Sequence, residues 1–134
     1  MTPRWNGLVA KLRVPASRSL RRFERSFATL QYVDVTSERS VFVFVRLHSA
    51  SGNEDKVRAA LTSVVTASRT EPGCVDMHAF RSFRDPRLFF IHSVWQDADA
   101  FDLHATLPHT VEFIDTVDRL LDEPRQVART ARIV

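Results

Sequence analysis

Val41-Phe42-Val43-Phe44-Val45-Arg46-Leu47-His48 decides the fold of this chain. β-Branched and aromatic residues fill the run, and such residues favour a pleated strand over a helix. Side chains alternate across a strand, so Val41, Val43, Val45 and Leu47 share one face while Phe42 and Phe44 share the other. Both faces are apolar, and both need cover. Downstream, Ser51-Gly52-Asn53 forms a turn, with Asn53 as N-cap and Glu54 and Asp55 in the first helical turn. Val57, Leu61, Val64 and Val65 then follow helical spacing to about Arg69, and Glu71-Pro72-Gly73 stops the helix. Residues 74–83 and 87–95 read as two strands joined through Arg84-Asp85-Pro86-Arg87. A second helical stretch starts after Trp95-Gln96-Asp97, breaks at Pro108, and resumes to Leu121 on Val111, Ile114 and Val117. Pro124 ends it, and residues 126–133 alternate as a last strand.

The resulting βαββαβ order is the ferredoxin-like α+β arrangement, a four-stranded antiparallel sheet with two helices on one face. The third strand repeats the problem posed by the first. It sends Phe89, Ile91 and Trp95 one way and Leu88, Phe90 and Val94 the other. An antiparallel sheet with one wet face alternates apolar with polar residues, and this one does not. Two helices cover one face only, so the expected cover of the second is another copy of the chain, in a homodimer.

Composition bounds the rest. The chain has 134 residues, 44% hydrophobic and 26% charged, which suits one globular domain. No run approaches the roughly 18 apolar residues of a membrane span. Cys74 is the single cysteine, which excludes an intrachain disulfide, and Gly7, Gly52 and Gly73 are too scattered for a phosphate loop or dinucleotide fingerprint. The net charge of +3 is unevenly spread: residues 1–40 carry eight basic and three acidic side chains, residues 41–134 eleven and thirteen. The chain therefore divides into a basic N-terminal extension, 1–40, and a body, 41–134. In the extension Leu20, Phe23, Phe27 and Leu30 predict a short amphipathic helix over about residues 17–31, with Arg18, Arg21, Arg22 and Arg25 on its other side. Three readings of it stand: an organelle transit peptide, a surface for anionic membrane or nucleic acid, or an arm that packs on the body or a partner. No apolar secretory core is present, and a cytoplasmic, bacterial location is expected.

The body resembles the antibiotic biosynthesis monooxygenase domain. The resemblance rests on Glu71-Pro72-Gly73-Cys74 after the first helix, Arg84-Asp85-Pro86 at the hairpin and Trp95 closing the third strand. Phe101-Asp102-Leu103-His104 and Thr106-Leu107-Pro108-His109-Thr110 complete it. It implies a dimeric α+β barrel with an apolar pocket between sheet and helices. It further implies oxidation of a small aromatic or quinol-type substrate with no cofactor and no metal. The chain departs from several members. Ile91 and Phe101 stand where polyketide-type enzymes have Asn and Tyr, and Ser93 stands where many relatives have Glu. His104 stands where haem degraders have a second Trp, and the site of their axial His falls near Ile114. The quinol-type members fit better, since they share the His104 and Pro108-His109 pattern.

Within that frame His104 is the candidate catalytic base, since imidazole exchanges a proton near neutral pH and can deprotonate a quinol or phenol hydroxyl. The resulting electron-rich anion reacts directly with oxygen. Trp95, Phe101, Phe89 and Phe44 are the candidate pocket walls, with His109 and His78 as further substrate contacts. Structural roles stand beside these: His104 as a bridge at the break before Pro108, His109 in a local hydrogen bond, and Trp95 as core. His78 and His92 face either the pocket or the dimer seam. Arg46 and His48 bind an anionic substituent or form a solvated rim. A metal is not expected, because His104 and His109 are five apart and do not share one helical face. No nucleic acid is expected through the sheet, which lacks the Gly-and-aromatic central-strand motif and is apolar on both faces. A non-catalytic ligand-binding protein, or a small-molecule isomerase on the same fold, are the alternatives.

Overall fold

The computed structural model describes residues 38–134. Seven elements follow in chain order: β1 (Val41–His48), α1 (Glu54–Ser68), β2 (Cys74–Arg81), β3 (Leu88–Trp95), α2 (Ala98–Thr106), α3 (Pro108–Asp118) and β4 (Gln126–Thr130). The expected helix at about 17–31 lies outside the described residues. Among the described residues, no helix is long and apolar enough to cross a membrane.

The strands form one antiparallel sheet in the order β2-β3-β1-β4. β1 is central, pairing from Val41↔Trp95 to His48↔Leu88 on one side and from Phe42↔Thr130 to Arg46↔Gln126 on the other. A strand between two neighbours is denied water along both edges, which is why an unbroken β-branched and aromatic run occupies it. One sheet face carries buried Val43, Leu47, Met77, Phe89 and Ile91, the last four packed with Val57, Leu61, Val64 and Val65 of α1 and Val117 of α3. Fully burying side chains of this size stabilises the fold by about 1.5–3 kcal/mol each. The opposite face carries Phe44, Phe80 and Phe90, each more than a third exposed. His92 lies among them, its ring 4.8 Å from that of Phe44.

Several element ends, and one cap, differ from the sequence expectation. Asn53 holds the N-cap position of α1, but its side chain makes no cap; Nδ2 instead donates to the Leu120 carbonyl at 3.5 Å. Gly52 has φ +89°, a left-handed turn that favours glycine and aims the chain into α1. The second helical stretch breaks before Pro108 as expected but ends at Asp118 rather than Leu121; the hairpin strands span Cys74–Arg81 and Leu88–Trp95, and the last strand stops at Thr130. Leu107 between α2 and α3 is extended (φ −71°, ψ 146°) because a residue preceding proline is driven out of helical geometry. Pro108 then begins α3, where its missing N–H costs nothing.

Candidate functional site

Three segments meet at the end of β3. Trp95 closes that strand on the helical face and is 1% exposed. Its indole N–H donates to Ser93 Oγ at 2.9 Å, two residues back on the same face. Ser93 thus satisfies a buried donor, and the Trp95 ring presents only apolar surface to its neighbours. The α2 helix is started by Asp97, whose Oδ1 accepts the Ala100 N–H at 2.8 Å. That helix lays two rings against Trp95: Phe101 at 5.8 Å in an edge-on arrangement and His104 at 4.4 Å. Arg129 of β4 stacks on Phe101 with its guanidinium carbon 4.8 Å from the ring centre, and it is held there by Asp102 at 2.8 Å.

The bend at Leu107-Pro108 turns the chain so that His109 and His104 converge with ring centres 6.1 Å apart. A five-residue spacing separates two side chains on one helix; across this break it does not. Between them lies Glu71, from the turn after α1. The Glu71 N–H donates to the Ser68 carbonyl and its own carbonyl accepts from Cys74, both at 3.0 Å. Gly73 makes the placement possible, since a Cβ there would stand 2.4 Å from the Ala100 Cβ of α2. One oxygen, Glu71 Oε2, accepts from His104 Nδ1 at 2.9 Å and from His109 Nε2 at 2.8 Å. With Glu71 as a carboxylate, which only accepts, the facing nitrogens are the donors, and a neutral His104 is then the Nδ1–H tautomer with Nε2 on the far side of the ring as acceptor. The side chains of Glu71 and His104 are 9% and 8% exposed, that of His109 29%. Buried Thr110 adds its hydroxyl 3.2 Å from His104 Nδ1. Cys74, beside this cluster, has its thiol pushed up to about 12 by burial first and by the Glu71 charge second. It is a thiol and not a nucleophile at neutral pH.

Of the sequence-predicted site residues, the structure brings His104, His109, Trp95 and Phe101 together. Phe89 sits six residues before Trp95 on the same face of β3, in the core at the strand's other end, opposite Leu47. Phe44 and His78 lie on the opposite sheet face, His78 being held by Asp76 at 2.9 Å and Arg69 at 2.9 Å. At the partly exposed rim of the sheet, His48 takes its carboxylate partners from within the chain. It is bridged by Asp122 at 2.7 Å and Asp85 at 2.8 Å, while Arg46 pairs with Glu123. The two hydrogen bonds, Asp122 first, raise the His48 pKa; Asp122 is lowered chiefly by His48, and Asp85 first by the Arg87 backbone N–H and then by His48. In the sequence Glu71 stands out only as a helix stop and a family motif; its carboxylate role follows from its side chain being 9% exposed, which no local pattern reports. Grooves of about 750 and 670 Å³ run along Asp55 to Thr70 of α1 and beside Asp118 to Val127. Neither touches the His104 cluster.

Known proteins share this arrangement of elements. The Rv0793 protein of Mycobacterium tuberculosis superposes with a TM-score of 0.68 at 24% identity, over 71% of this chain and 96% of its own. A solved structure described as an antibiotic biosynthesis monooxygenase gives 0.67 at 20% identity, over 70% and 99%. Among curated sequences, an uncharacterised protein of Synechocystis is 29% identical over 63 residues. That stretch is 47% of this chain and 43% of the relative, so the match spans under half of the relative's length. The sequence profile of the family "Antibiotic biosynthesis monooxygenase" matches residues 40–116, a span that includes Glu71, Trp95, His104 and His109. With more than half of its length matched by that profile, and the fold shared by solved relatives, the chain belongs to the antibiotic biosynthesis monooxygenase family.

Proposed function

We propose that this chain is a cofactor-independent monooxygenase of a small aromatic or quinol-type substrate, with His104 as general base. The observation that carries the reading is the Glu71 carboxylate on His104 Nδ1, at 2.9 Å, behind an imidazole stacked on Trp95. A base needs its accepting atom fixed and its protonated form stabilised, and a buried carboxylate on the other ring nitrogen does both. Nε2 removes a proton from the substrate; the anion then transfers electrons to oxygen and a carbon–oxygen bond forms. One oxygen atom stays as a carbonyl and the other leaves as water, so the substrate supplies the electrons. Trp95, whose indole N–H is satisfied by Ser93, and Phe101 provide an apolar wall that favours a flat ring and excludes water.

A homodimer belongs to the same proposal. Phe44, Phe80 and Phe90 leave an apolar patch on the sheet face away from the helices, and a second copy of that face is its simplest cover. Phe44 and His78 then lie in the seam, and Phe89 in the core, so the substrate wall falls to Trp95, Phe101 and His109.

Oxygen consumption tests the reading. Purified protein with chelator is offered a panel of quinols, anthrones and naphthols, beside His104→Ala. Uptake by the wild type that the variant loses supports the base. A folded wild type that binds members of the panel without consuming oxygen is instead a ligand-binding protein or an isomerase.

A further inference from the structure

We infer that Glu71, His104 and His109 form a binding site for a divalent transition-metal ion, and that its occupancy silences His104 as a base. The donor atoms, Glu71 Oε2, His104 Nδ1 and His109 Nε2, all lie within 4.8 Å of one another. Bonds from such an ion to imidazole nitrogen and carboxylate oxygen run about 2.0–2.2 Å. At those lengths the observed N···O separations of 2.9 and 2.8 Å subtend about 90° at the ion. That is the angle between neighbouring ligands in six-coordination, with three ligands on one face and three positions left to water. In that facial set the two imidazole nitrogens stand about 2.9 Å apart, so closing it from a separation of at most 4.8 Å draws them together by up to about 1.9 Å, within reach of side-chain rotation.

The surroundings fit an ion as well as the distances do. Glu71 is a buried carboxylate whose hydrogen-bonded side-chain partners among the described residues are two imidazoles, with no lysine or arginine. An ion would replace the two N–H hydrogens, with the Glu71 carboxylate turning aside from the N···O lines to make room. Each donor is held by its own constraint: Glu71 by the close approach of Gly73 to Ala100, His109 by the Leu107-Pro108 bend, and His104 by its stack on Trp95. Two imidazoles and one carboxylate select first-row ions over Mg²⁺ and Ca²⁺, which prefer all-oxygen sites.

The consequence for activity rests on the proposed role of His104. A neutral imidazole has one N–H. An ion on Nδ1 moves that hydrogen to Nε2, and the atom that would accept the substrate's proton becomes a donor. Metal and turnover therefore exclude each other.

The metal-free full-length chain is titrated with Zn²⁺ by calorimetry and with Co²⁺ by its visible absorption, with no substrate present. We expect one equivalent per chain and no heat with Mg²⁺. Glu71→Gln and the more exposed His109→Ala should each weaken binding at least ten-fold. His48→Gln, which disrupts the other cluster of metal-ligating type, at His48, Asp122 and Glu123, should leave it unchanged. Absence of Zn²⁺ and Co²⁺ binding overturns the inference, and so does one equivalent that survives both His109→Ala and Glu71→Gln. Because stoichiometry is read without substrate, a silent oxygen panel defeats the proposed activity and leaves this result standing.

Discussion

Replacing Gly73 by alanine tests how the fold delivers Glu71 to the two histidines. The added Cβ would lie 2.4 Å from the Ala100 Cβ, where ordinary contact begins at 3.4 Å. The loop after α1 and the α2 helix must therefore separate by about 1 Å, and overpacking of this kind costs about 1–3 kcal/mol. A shift of that size also stretches the hydrogen bonds of 2.8 and 2.9 Å beyond about 3.5 Å, where they cease to be bonds. Gly73→Ala should thus lose stability and loosen the site together. Ala100→Gly relieves the contact from the other side, at about 1 kcal/mol for glycine inside a helix. In urea titrations the double variant should be less destabilised than the sum of the single ones, with a coupling of at least about 1 kcal/mol. Strict additivity, or a Gly73→Ala protein as stable as wild type, would refute the close approach and with it the placement of Glu71.

Other consequences are simpler to state. Leu47→Ala removes a fully buried side chain at the centre of the sheet and should cost about 2–5 kcal/mol in the same titration. The cluster of His48, Asp85 and Asp122 gives stability a pH window. The raised His48 stabilises fully below its ordinary 6.5 and loses that contribution as pH rises through its folded value; the lowered aspartates stabilise above their ordinary 3.8 and lose theirs as pH falls. Urea midpoints should therefore fall from about pH 6 toward pH 9, and His48→Gln should flatten that slope. Phe44→Lys places a charge in the apolar sheet face and should convert a dimer to monomers in sedimentation, while leaving the helical face folded; an unchanged sedimentation coefficient would remove this face as the seam.

Much of the fold can be read from β1 and β3, because their runs of β-branched and aromatic residues are largely apolar on both faces and few sequences are. The same rule exposes the need for cover on the second face. The site is less legible. Pro108 marks a break, and proline stereochemistry predicts the extended Leu107. The direction in which α3 leaves, and so the meeting of His104 with His109, depends on packing between segments. Asn53 illustrates the limit of local rules: a good capping residue stands at the capping position, yet the Leu120 carbonyl draws its side chain away. Ser93 looks like the loss of an acid until the Trp95 indole is seen to need an acceptor. Glu71 is hidden for the same reason, since a glutamate before Pro-Gly usually faces water. Its burial is set by Gly73 and Ala100, residues whose significance is their small size.

The tautomer of His104 bears most directly on its role as base, and nitrogen NMR of the metal-free chain reads it without a substrate. We expect hydrogen on Nδ1, bound to Glu71, and a bare Nε2, with the Nδ1–H signal altered in Glu71→Gln. Hydrogen on Nε2 in the neutral ring would leave the imidazole no atom with which to take the substrate's proton, and would contradict the assignment of His104 as base.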